Sequence, residues 1–382
     1  MTGTRTRRTA RAVAGCTLVL SAALAVTGPA RASTSAVSCG DVLTTDTALT
    51  ADLTCTGDAL TIGADNLDLD LNGHAITGTG TGTALRIAGR AGTTVRNGVI
   101  DGFTYGAGID DYMGVRPDVT LTDVRFRGAP IDARPAVLTI SGTRDTCHLS
   151  GLRLIDGLLS IDRCTVTGQT VMVRATGSAV RDSALTGGSL TVSATDQGTF
   201  TRNVFDAFPM GLSADSRRNL VKTNVFKNAA ASALGAGETF LPEDANIVEL
   251  NLFTGNDIGL RSASMLRNLI VRKNVFSGNG TAGIFVENTW GPDRATPHPI
   301  SGNVFVGNGH HPSGLVDGQH HVVQGGIHLS SRAALTPPIT LQNNVGTGNA
   351  GYLIWAPPGT VADGGGNQGP CGPTPNADLT CW

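Results

Sequence analysis

The chain has 382 residues, with 28 Lys or Arg and 30 Asp or Glu, so its net charge is −2 when the histidines are neutral. Glycine accounts for 51 residues, aromatic residues for 4% and charged residues for 15% of the sequence. This composition excludes a disordered charged tail, a charged helical bundle and a protein with a strongly basic surface for nucleic acid.

The first predicted element is a signal peptide over residues 1–32. Four arginines within the first eleven residues precede an apolar run over residues 13–26, and small residues at 30–32 provide a cleavage site. We expect cleavage near Ala32 and a secreted protein, exported by the general or the twin-arginine route. Without residues 1–32, which contain five arginines and no acidic residue, 23 basic and 30 acidic residues remain, giving a net charge of −7. No later stretch is long and apolar enough to span a membrane.

Residues 33–382 are predicted to form one domain, in which residues 33–78 provide the N-terminal cap and the first coils. Two phrases carry a family resemblance: Leu67-Asp68-Leu69-Asp70-Leu71-Asn72-Gly73-His74-Ala75-Ile76-Thr77-Gly78 and Val95-Arg96-Asn97-Gly98-Val99-Ile100-Asp101-Gly102-Phe103. They resemble the opening coils of secreted right-handed parallel β-helix proteins, a group similar to the pectate-lyase superfamily. The resemblance extends from about Cys39 to the end of the chain. It implies a groove on one sheet along which a polysaccharide lies.

A phrase of asparagine, an aliphatic residue and phenylalanine recurs through the second half of the chain. It stands at Asn203-Val204-Phe205, Asn224-Val225-Phe226, Asn251-Leu252-Phe253, Asn274-Val275-Phe276 and Asn303-Val304-Phe305, followed by a degenerate Asn344-Val345-Gly346. Successive starts are 21, 27, 23, 29 and 41 residues apart. A repeat of roughly 20–50 residues is typical of solenoids, whose units bury their apolar faces against their neighbours. The unequal spacing indicates a constant frame with variable insertions.

The repeat predicts an all-β, single-stranded parallel β-helix of about a dozen coils, and the family resemblance implies that this β-helix is right-handed. Short β-favouring runs alternate with Gly and Asn, which mark tight bends, and the mature chain shows no sustained helical period. In such a stack, the asparagines of successive coils lie above one another, where their amides can hydrogen-bond along the stack. We therefore interpret the asparagines as structural and expect function in the longest insertions.

Six cysteines follow the predicted signal peptide and fall into three neighbouring pairs. An even number of cysteines in an exported chain indicates disulfides, and six cysteines allow 15 connectivities. Sequence proximity favours Cys39 with Cys55, Cys147 with Cys164, and Cys371 with Cys381. The first and last pairs are expected to pin the ends of the solenoid, with residues 366–382 as its C-terminal cap.

In each repeat, one strand begins with glycine and an aliphatic residue, and the outward side chains of these strands are predicted to form the functional face. Since alternate residues of a strand share a face, two outward columns are expected. The first contains Ser213, Arg261, Phe285, His328 and Leu353, and the second contains Asp215, Ala263, Glu287, Ser330 and Trp355. Neighbouring coils stack about 4.8 Å apart. Arg261, Glu287 and His328 are therefore expected to approach one another.

Two long insertions are expected to flank this ladder. One follows Glu287 and contains Trp290, and the other spans residues 307–325, immediately before His328. The second insertion contains His310, His311, Asp317, His320 and His321. Six of the eight histidines in the chain lie between residues 298 and 328, which is the strongest functional signal in the sequence.

Three interpretations of this cluster remain open. In the first, Glu287 and His328 act as base and acid on a sugar, Arg261 balances negative charge, and Trp290 and the polar residues of the second insertion bind the substrate. In the second, several histidines bind a transition metal. Neither such a metal nor calcium is supported by a clear ligand motif, so the cofactor is left undetermined. In the third, the insertion is a solvated surface loop.

We predict a secreted, monomeric, carbohydrate-active protein whose partner is a polysaccharide or cell-wall glycan, with no nucleic acid and no membrane span. The expected activity is that of a polysaccharide lyase, hydrolase or epimerase, and the alternative is a non-catalytic glycan- or wall-binding β-helix. An enzyme predicts that Arg261, Glu287 and His328 meet in one cleft with shifted pKa values. A binding module predicts aromatic or polar residues spread along the ladder.

Overall fold

The computed structural model describes residues 36–213, 215–237, 244–262, 269–287, 299–330, 338–373 and 376–382. In these ranges the chain winds into an all-β parallel solenoid of about 13 turns, and the predicted right-handed parallel β-helix is confirmed. Each turn passes through up to three short strands, which stack on those of the neighbouring turns in parallel register. The stacked strands form three faces, here called the first, second and third sheets.

The strand bounds follow these three sheets. The first sheet contains β1 (Asp41–Leu43), β4 (Leu60–Ile62), β7 (Thr83–Ala88), β9 (Tyr105–Asp110), β11 (Ile131–Arg134), β14 (Leu152–Ile155), β21 (Met210–Leu212), β24 (Ser232–Ala236), β27 (Ile258–Ser262), β30 (Ala282–Val286), β33 (Gly325–Leu329), β36 (Ile354–Trp355) and β38 (Cys371–Gly372). The second contains β2 (Thr47–Ala48), β5 (Asp68–Asp70), β12 (Val137–Ser141), β15 (Leu158–Asp162), β17 (Ala179–Arg181), β19 (Thr199–Thr201), β22 (Leu220–Lys222), β25 (Asn246–Glu249), β28 (Leu269–Arg272), β31 (Ile300–Ser301), β34 (Ile339–Gln342) and β37 (Val361–Asp363). The third contains β3 (Leu53–Thr54), β6 (Ala75–Thr77), β13 (His148–Leu149), β20 (Val204–Asp206), β23 (Val225–Lys227), β26 (Leu252–Thr254), β29 (Val275–Ser277), β32 (Val304–Val306) and β35 (Val345–Thr347). Longer strands pass from the second to the third sheet, β8 (Thr93–Asp101) and β10 (Asp118–Arg127), or from the third to the first, β16 (Thr165–Val173) and β18 (Ala184–Ser193).

The asparagine of the repeat phrase forms a ladder at the corner between the second and third sheets. Each side-chain amide donates to the Oδ1 of the next, as from Asn251 to Asn274 (3.0 Å) and from Asn274 to Asn303 (3.1 Å). The buried ladder consists of Asn203, Asn224, Asn251, Asn274, Asn303, Asn344 and Asn367. A second ladder at the corner before the first sheet consists of Asn256, Asn279, Asn308 and Asn349. The predicted amide stacking is confirmed, and it satisfies polar groups that would otherwise be buried without partners at each bend.

The phenylalanine of the phrase points into the core from the third sheet. The rings of Phe226 and Phe253 lie 4.8 Å apart and those of Phe253 and Phe276 lie 4.7 Å apart, each pair within 6° of parallel. The stack begins at Phe205 and ends at Phe305. One aromatic column therefore runs through five consecutive coils, beside the apolar residues that fill the rest of the core.

The three predicted disulfides are confirmed, with Cys39–Cys55 and Cys371–Cys381 near the ends of the solenoid. The third, Cys147–Cys164, lies at the same corner as the long asparagine ladder. The backbone N–H of Cys164 donates to Ser183 Oγ at 3.1 Å, and that of Ser183 donates to Asn203 Oδ1 at 3.0 Å. The covalent link between neighbouring coils thus takes the position that amide hydrogen bonds occupy further along the stack.

A membrane-spanning helix, long enough and apolar enough to cross a bilayer, is not found in the part of the chain that the structure describes.

Candidate functional site

The outer face of the first sheet contains the predicted ladder. In strand register, Arg261 pairs with Phe285, Phe285 with His328, and His328 with Trp355. The predicted order of Arg261, Phe285 and His328 in one column is confirmed. The predicted next member, Leu353, is wrong, because Trp355 occupies that position and Leu353 is fully buried.

The error at Leu353 has a steric cause in the degenerate repeat phrase. Gly346 pairs with Phe305, so it stands where the earlier coils have phenylalanine. A Cβ atom at Gly346 would lie 2.5 Å from Leu353 Cδ1. Leu353 therefore fills the core space that the missing phenylalanine leaves, and the outward position passes to Trp355. The first predicted member, Ser213, is also wrong, since Gly211 and Gly235 precede Arg261 in the column.

Arg261 and Glu287 form an ion pair on the outer face. Arg261 donates from Nη2 to Glu287 Oε2 at 2.6 Å and from Nε to the same oxygen at 3.1 Å. Both side chains are about one-third exposed, at 34% and 38%. The guanidinium carbon also lies 5.8 Å from the centre of the Phe285 ring. The two charges offset each other on this side of Phe285.

A hairpin formed by residues 315–323 covers Phe285. Val316 and Val322 pair in antiparallel register, and the N–H of Val323 donates to the carbonyl of Leu315 at 2.9 Å. Val323 and Leu315 pack with Phe285 in a small apolar cluster outside the main core, and Phe285 is fully buried. The second insertion is therefore packed against the ladder and separates Arg261 from His328.

Asp317, in the turn of this hairpin, holds two histidines. His328 Nε2 lies 3.1 Å from Asp317 Oδ2, and His321 Nδ1 lies 3.4 Å from the same oxygen. Asp317 Oδ1 accepts hydrogen bonds from the backbone N–H groups of Gln319 (2.8 Å) and His321 (2.9 Å). The Asp317 side chain is fully buried and His328 is 2% exposed, whereas the His321 side chain is 44% exposed. Of the two histidines, His321 is the one that reaches solvent.

Burial and hydrogen bonds shift the pKa values of Asp317 and His328. Burial alone would raise the pKa of Asp317, but the N–H of His321, the His328 ring and the N–H of Gln319 together hold that pKa below its ordinary value. Burial lowers the pKa of His328, and this outweighs the opposing effect of the Asp317 carboxylate. At neutral pH, an ionised Asp317 therefore accepts a hydrogen bond from the Nε2–H of a neutral His328.

A pocket of about 270 Å³ opens beside the two histidines. It is lined by His321, Val322, Gln324, His328, Gly351, Tyr352 and Trp355. The Trp355 ring centre lies 5.0 Å from that of His321, 5.7 Å from that of Tyr352 and 5.9 Å from that of His328. The Tyr352 ring lies over Gly372, where a Cβ atom would approach within 2.6 Å of it. The absence of a side chain at Gly372 thus positions the aromatic wall of the pocket.

The other predicted site residues lie apart from this pocket. His310 is exposed and its Nε2 lies 2.7 Å from the carbonyl oxygen of Gly348, while His311 is exposed near Gly280. His320 is exposed in the hairpin turn, where it adopts a φ of 68°. Trp290 lies outside the described residues. Within the described ranges, no three His, Cys, Asp or Glu side chains are grouped so as to hold a metal ion.

The structure thus forms two polar pairs, Arg261 with Glu287 and His328 with Asp317, on opposite sides of Phe285. From the sequence, Arg261, Glu287 and His328 were expected to lie together, and Asp317 was expected only to bind substrate. Tyr352 was not predicted, and its position three residues before Trp355 was the only signal for it. The pocket can support proton transfer because a carboxylate orients an exposed imidazole next to two aromatic rings.

The lowered pKa of His328 predicts a loss of stability in mild acid. The unfolded chain, with a histidine pKa near 6.5, binds a proton more readily than the buried ring. The contribution of His328 to the free energy of unfolding is therefore complete above about pH 6.5 and declines as the pH falls toward the lower folded-state pKa. Urea unfolding at about pH 7 and about pH 5 should show a smaller acid-induced loss of stability in His328→Gln than in the unsubstituted protein.

A second histidine with a lowered pKa is His148, whose pKa is lowered by burial and by Arg127 and Arg125. Because His148 is present in both proteins, its contribution to the acid-induced loss cancels in the comparison. Equal losses in the two proteins would contradict this account.

The chain is similar to one protein-family model and to solved structures. The model described as "Right handed beta helix region" matches residues 157–357, which include the whole pocket. The fold is similar to a mutant of the periplasmic alginate epimerase AlgG, with 14% identity, a TM-score of 0.35, and coverage of 80% of this chain and 78% of that one. It is also similar to the A-module of the mannuronan C-5 epimerase AlgE6 of Azotobacter vinelandii, with 14% identity, a TM-score of 0.36 and coverage of 81% and 86%. A third similar structure is the Dettilon tailspike protein gp208, with 14% identity, a TM-score of 0.26 and coverage of 87% and 58%. No curated protein matches the chain.

Proposed function

The chain belongs to the right-handed β-helix family, and from this premise we propose that it is a secreted carbohydrate-active protein that holds a sugar in the pocket of its first sheet. One observation carries the proposal: Tyr352 and Trp355 form an aromatic wall directly beside His321, which Asp317 orients. Aromatic rings offer apolar faces to a sugar ring, and the neighbouring imidazole offers a group for proton transfer.

The indole of Trp355 supports a ligand rich in hydroxyl groups. Its Nε1 is buried and has no hydrogen-bond partner in the part of the chain that the structure describes. Buried indole N–H groups usually have an acceptor. A rotation of the ring that turns Nε1 toward the pocket would let a sugar hydroxyl supply one.

The chemistry that the pocket favours is proton transfer by His321. Its Nδ1 faces Asp317 Oδ2, so a neutral ring donates there and presents Nε2 as an acceptor toward the exposed side. Asp317 is the positioning residue, and His328, which is buried, holds the same Asp317 oxygen at 3.1 Å. The activity is that of a lyase or an epimerase, in which a base removes a proton from the sugar.

Hydrolysis is less well supported by the described residues. Glycoside hydrolysis ordinarily uses two carboxyl groups that flank the scissile bond. The Asp317 carboxylate is fully buried and accepts hydrogen bonds from two backbone N–H groups, and Glu287 is bonded to Arg261 beyond Phe285. Neither carboxylate is free to act on a sugar in the pocket.

A non-catalytic glycan-binding β-helix is the second candidate. The ion pair between Arg261 and Glu287 favours it, because each of these residues already holds a partner of opposite charge. The 2% exposure of His328 favours it as well, since a buried ring does not touch a substrate. In this case, Tyr352, Trp355 and His321 would bind a sugar without changing it.

The remaining parts of the proposal concern location and assembly. Residues 1–32 act as a signal peptide that is cleaved near Ala32, and the mature protein is a monomer whose partner is a polysaccharide or a cell-wall glycan. The three disulfides support an oxidising destination outside the cytoplasm.

The test is activity of residues 33–382 against a panel of acidic and neutral polysaccharides, with EDTA and with added calcium or zinc. New reducing ends, absorbance of unsaturated sugars and proton NMR would detect hydrolase, lyase and epimerase products. We expect product formation to fall by about 10²–10⁴-fold in His321→Gln, the usual contribution of a general base.

The matched control is His74→Gln. His74 also has a carboxylate partner, Asp52, at 3.1 Å, but it lies in an early coil far along the chain from the pocket residues. It should retain full activity. Product that forms equally in both variants would contradict the role of His321, and retained glycan binding without any product would select the non-catalytic function.

A further inference from the structure

The outer column of the first sheet is blocked at Phe285. Its neighbours in register, Arg261 and His328, lie on the outer face, and Phe285 contacts both of them. Phe285 is nevertheless fully buried, because Val323 and Leu315 of the 315–323 hairpin pack on it. A chain lying along this column cannot pass over Phe285 without removing the hairpin.

The hairpin is tied to the coils beneath it at several points. The N–H of Gly318 donates to Ser330 Oγ at 3.2 Å, and Asp317 bonds to His328 at 3.1 Å. Just before the hairpin, the N–H of Ser313 donates to Thr281 Oγ1 at 2.7 Å. These polar anchors and the apolar cluster fix the hairpin as a wall across the face.

The pocket lies on one side of this wall only. Its aromatic residues, Tyr352 and Trp355, belong to the coil that follows His328, and His321 lies at the end of the hairpin turn. The volume of about 270 Å³ is just below the roughly 300–1,000 Å³ of pockets that hold drug-sized ligands. The space therefore suits one or two sugar residues and not a long segment.

We infer that the pocket binds the terminal residue of a glycan chain, with the hairpin as the wall against which the chain ends. The terminal sugar stacks on Trp355 or Tyr352 next to His321, and the rest of the chain leaves through the open mouth of the pocket into solvent. The protein then recognises chain ends and does not bind along the interior of a polymer. This inference rests on the proposed function and specifies how that site selects its substrate.

The test uses one glycan of the panel as tetrasaccharides and as long polymers. Each length is prepared in three forms: with both ends free, with only the reducing end modified, and with only the non-reducing end modified. Calorimetry should give one bound protein for each glycan chain at every length, because each chain has one recognised end. Modification of the recognised end should weaken binding by about tenfold or more. Binding that scales with polymer length and ignores both modifications would overturn the inference and leave the proposed function intact. Lack of binding to every glycan would overturn both.

A substitution on the far side of the wall provides a second readout. At Gly235, two positions before Phe285 in the column, an added Cβ atom would meet nothing closer than 3.9 Å, so the backbone position accepts a side chain and Gly235→Tyr places a ring on the outer face. We expect the affinity for the free-ended tetrasaccharide and for the polymer to stay unchanged. A selective loss of polymer binding would show that the chain continues past Phe285, and would overturn the inference.

Discussion

Replacing Asn274 by aspartate is expected to lower the free energy of unfolding by more than about 3 kcal/mol at neutral pH. The Asn274 amide donates to Asn303 Oδ1 (3.1 Å) and to the carbonyl of Val248 (2.9 Å), and the residue is fully buried. A carboxylate would place a negative charge against these two acceptors and remove the side-chain donor from both, so that Asn303 Oδ1 keeps only the backbone N–H of residue 274 (2.9 Å). Urea denaturation should show the loss.

The pH dependence of this variant gives an internal check. Desolvation raises the pKa of the introduced carboxyl group, so at low pH it is protonated and regains a donor, and the loss should shrink. Asn343→Asp is the matched control, since Asn343 is exposed and its neighbour Asn344 occupies the ladder. It should change the free energy of unfolding by no more than about 0.5 kcal/mol. Similar losses at the two positions would contradict a structural role for the ladder.

Truncation of Phe253 to alanine is expected to cost about 3–5 kcal/mol of stability. Phe253 lies in the middle of the aromatic column, between Phe226 at 4.8 Å and Phe276 at 4.7 Å, and it is fully buried. The substitution would open a cavity that the coils on either side cannot close, because their spacing is fixed by backbone hydrogen bonds. Thermal and urea unfolding would measure the loss.

The control for this truncation lies on the other face of the third sheet. Val275 is 37% exposed, and Val275→Ala removes apolar surface without opening a cavity in the core. Its effect should stay within about 0.5 kcal/mol. If Phe253→Ala proved as mild as Val275→Ala, the aromatic column would contribute little to holding the coils together.

The repeat phrase was sufficient to predict the frame of the molecule. Its asparagine lies at a bend where backbone groups need partners, and its phenylalanine faces the core, so both positions are under the same demands in every coil. Because these demands repeat, the fold class and the amide ladder could be predicted from residue types and spacing. The disulfides could be predicted from the even number and the proximity of the cysteines. The register of Arg261, Phe285 and His328 followed from the same repetition.

Where the repetition stops, prediction from the sequence also stopped. Gly346 lacks the phenylalanine side chain, so Leu353 moved into the core and Trp355 took the outward position. The packing of Leu315 and Val323 on Phe285 depends on a single insertion with no counterpart in the other coils. The two polar pairs on either side of Phe285 could therefore not be separated without the structure.

The most direct test of the proposed site is a crystal structure of residues 33–382 with an oligosaccharide selected from the glycan panel. The account predicts a terminal sugar ring against Trp355 and Tyr352, with His321 Nε2 facing it and Phe285 still covered by the 315–323 hairpin. A sugar bound on the Arg261 side of Phe285, with the aromatic pocket empty, would contradict it.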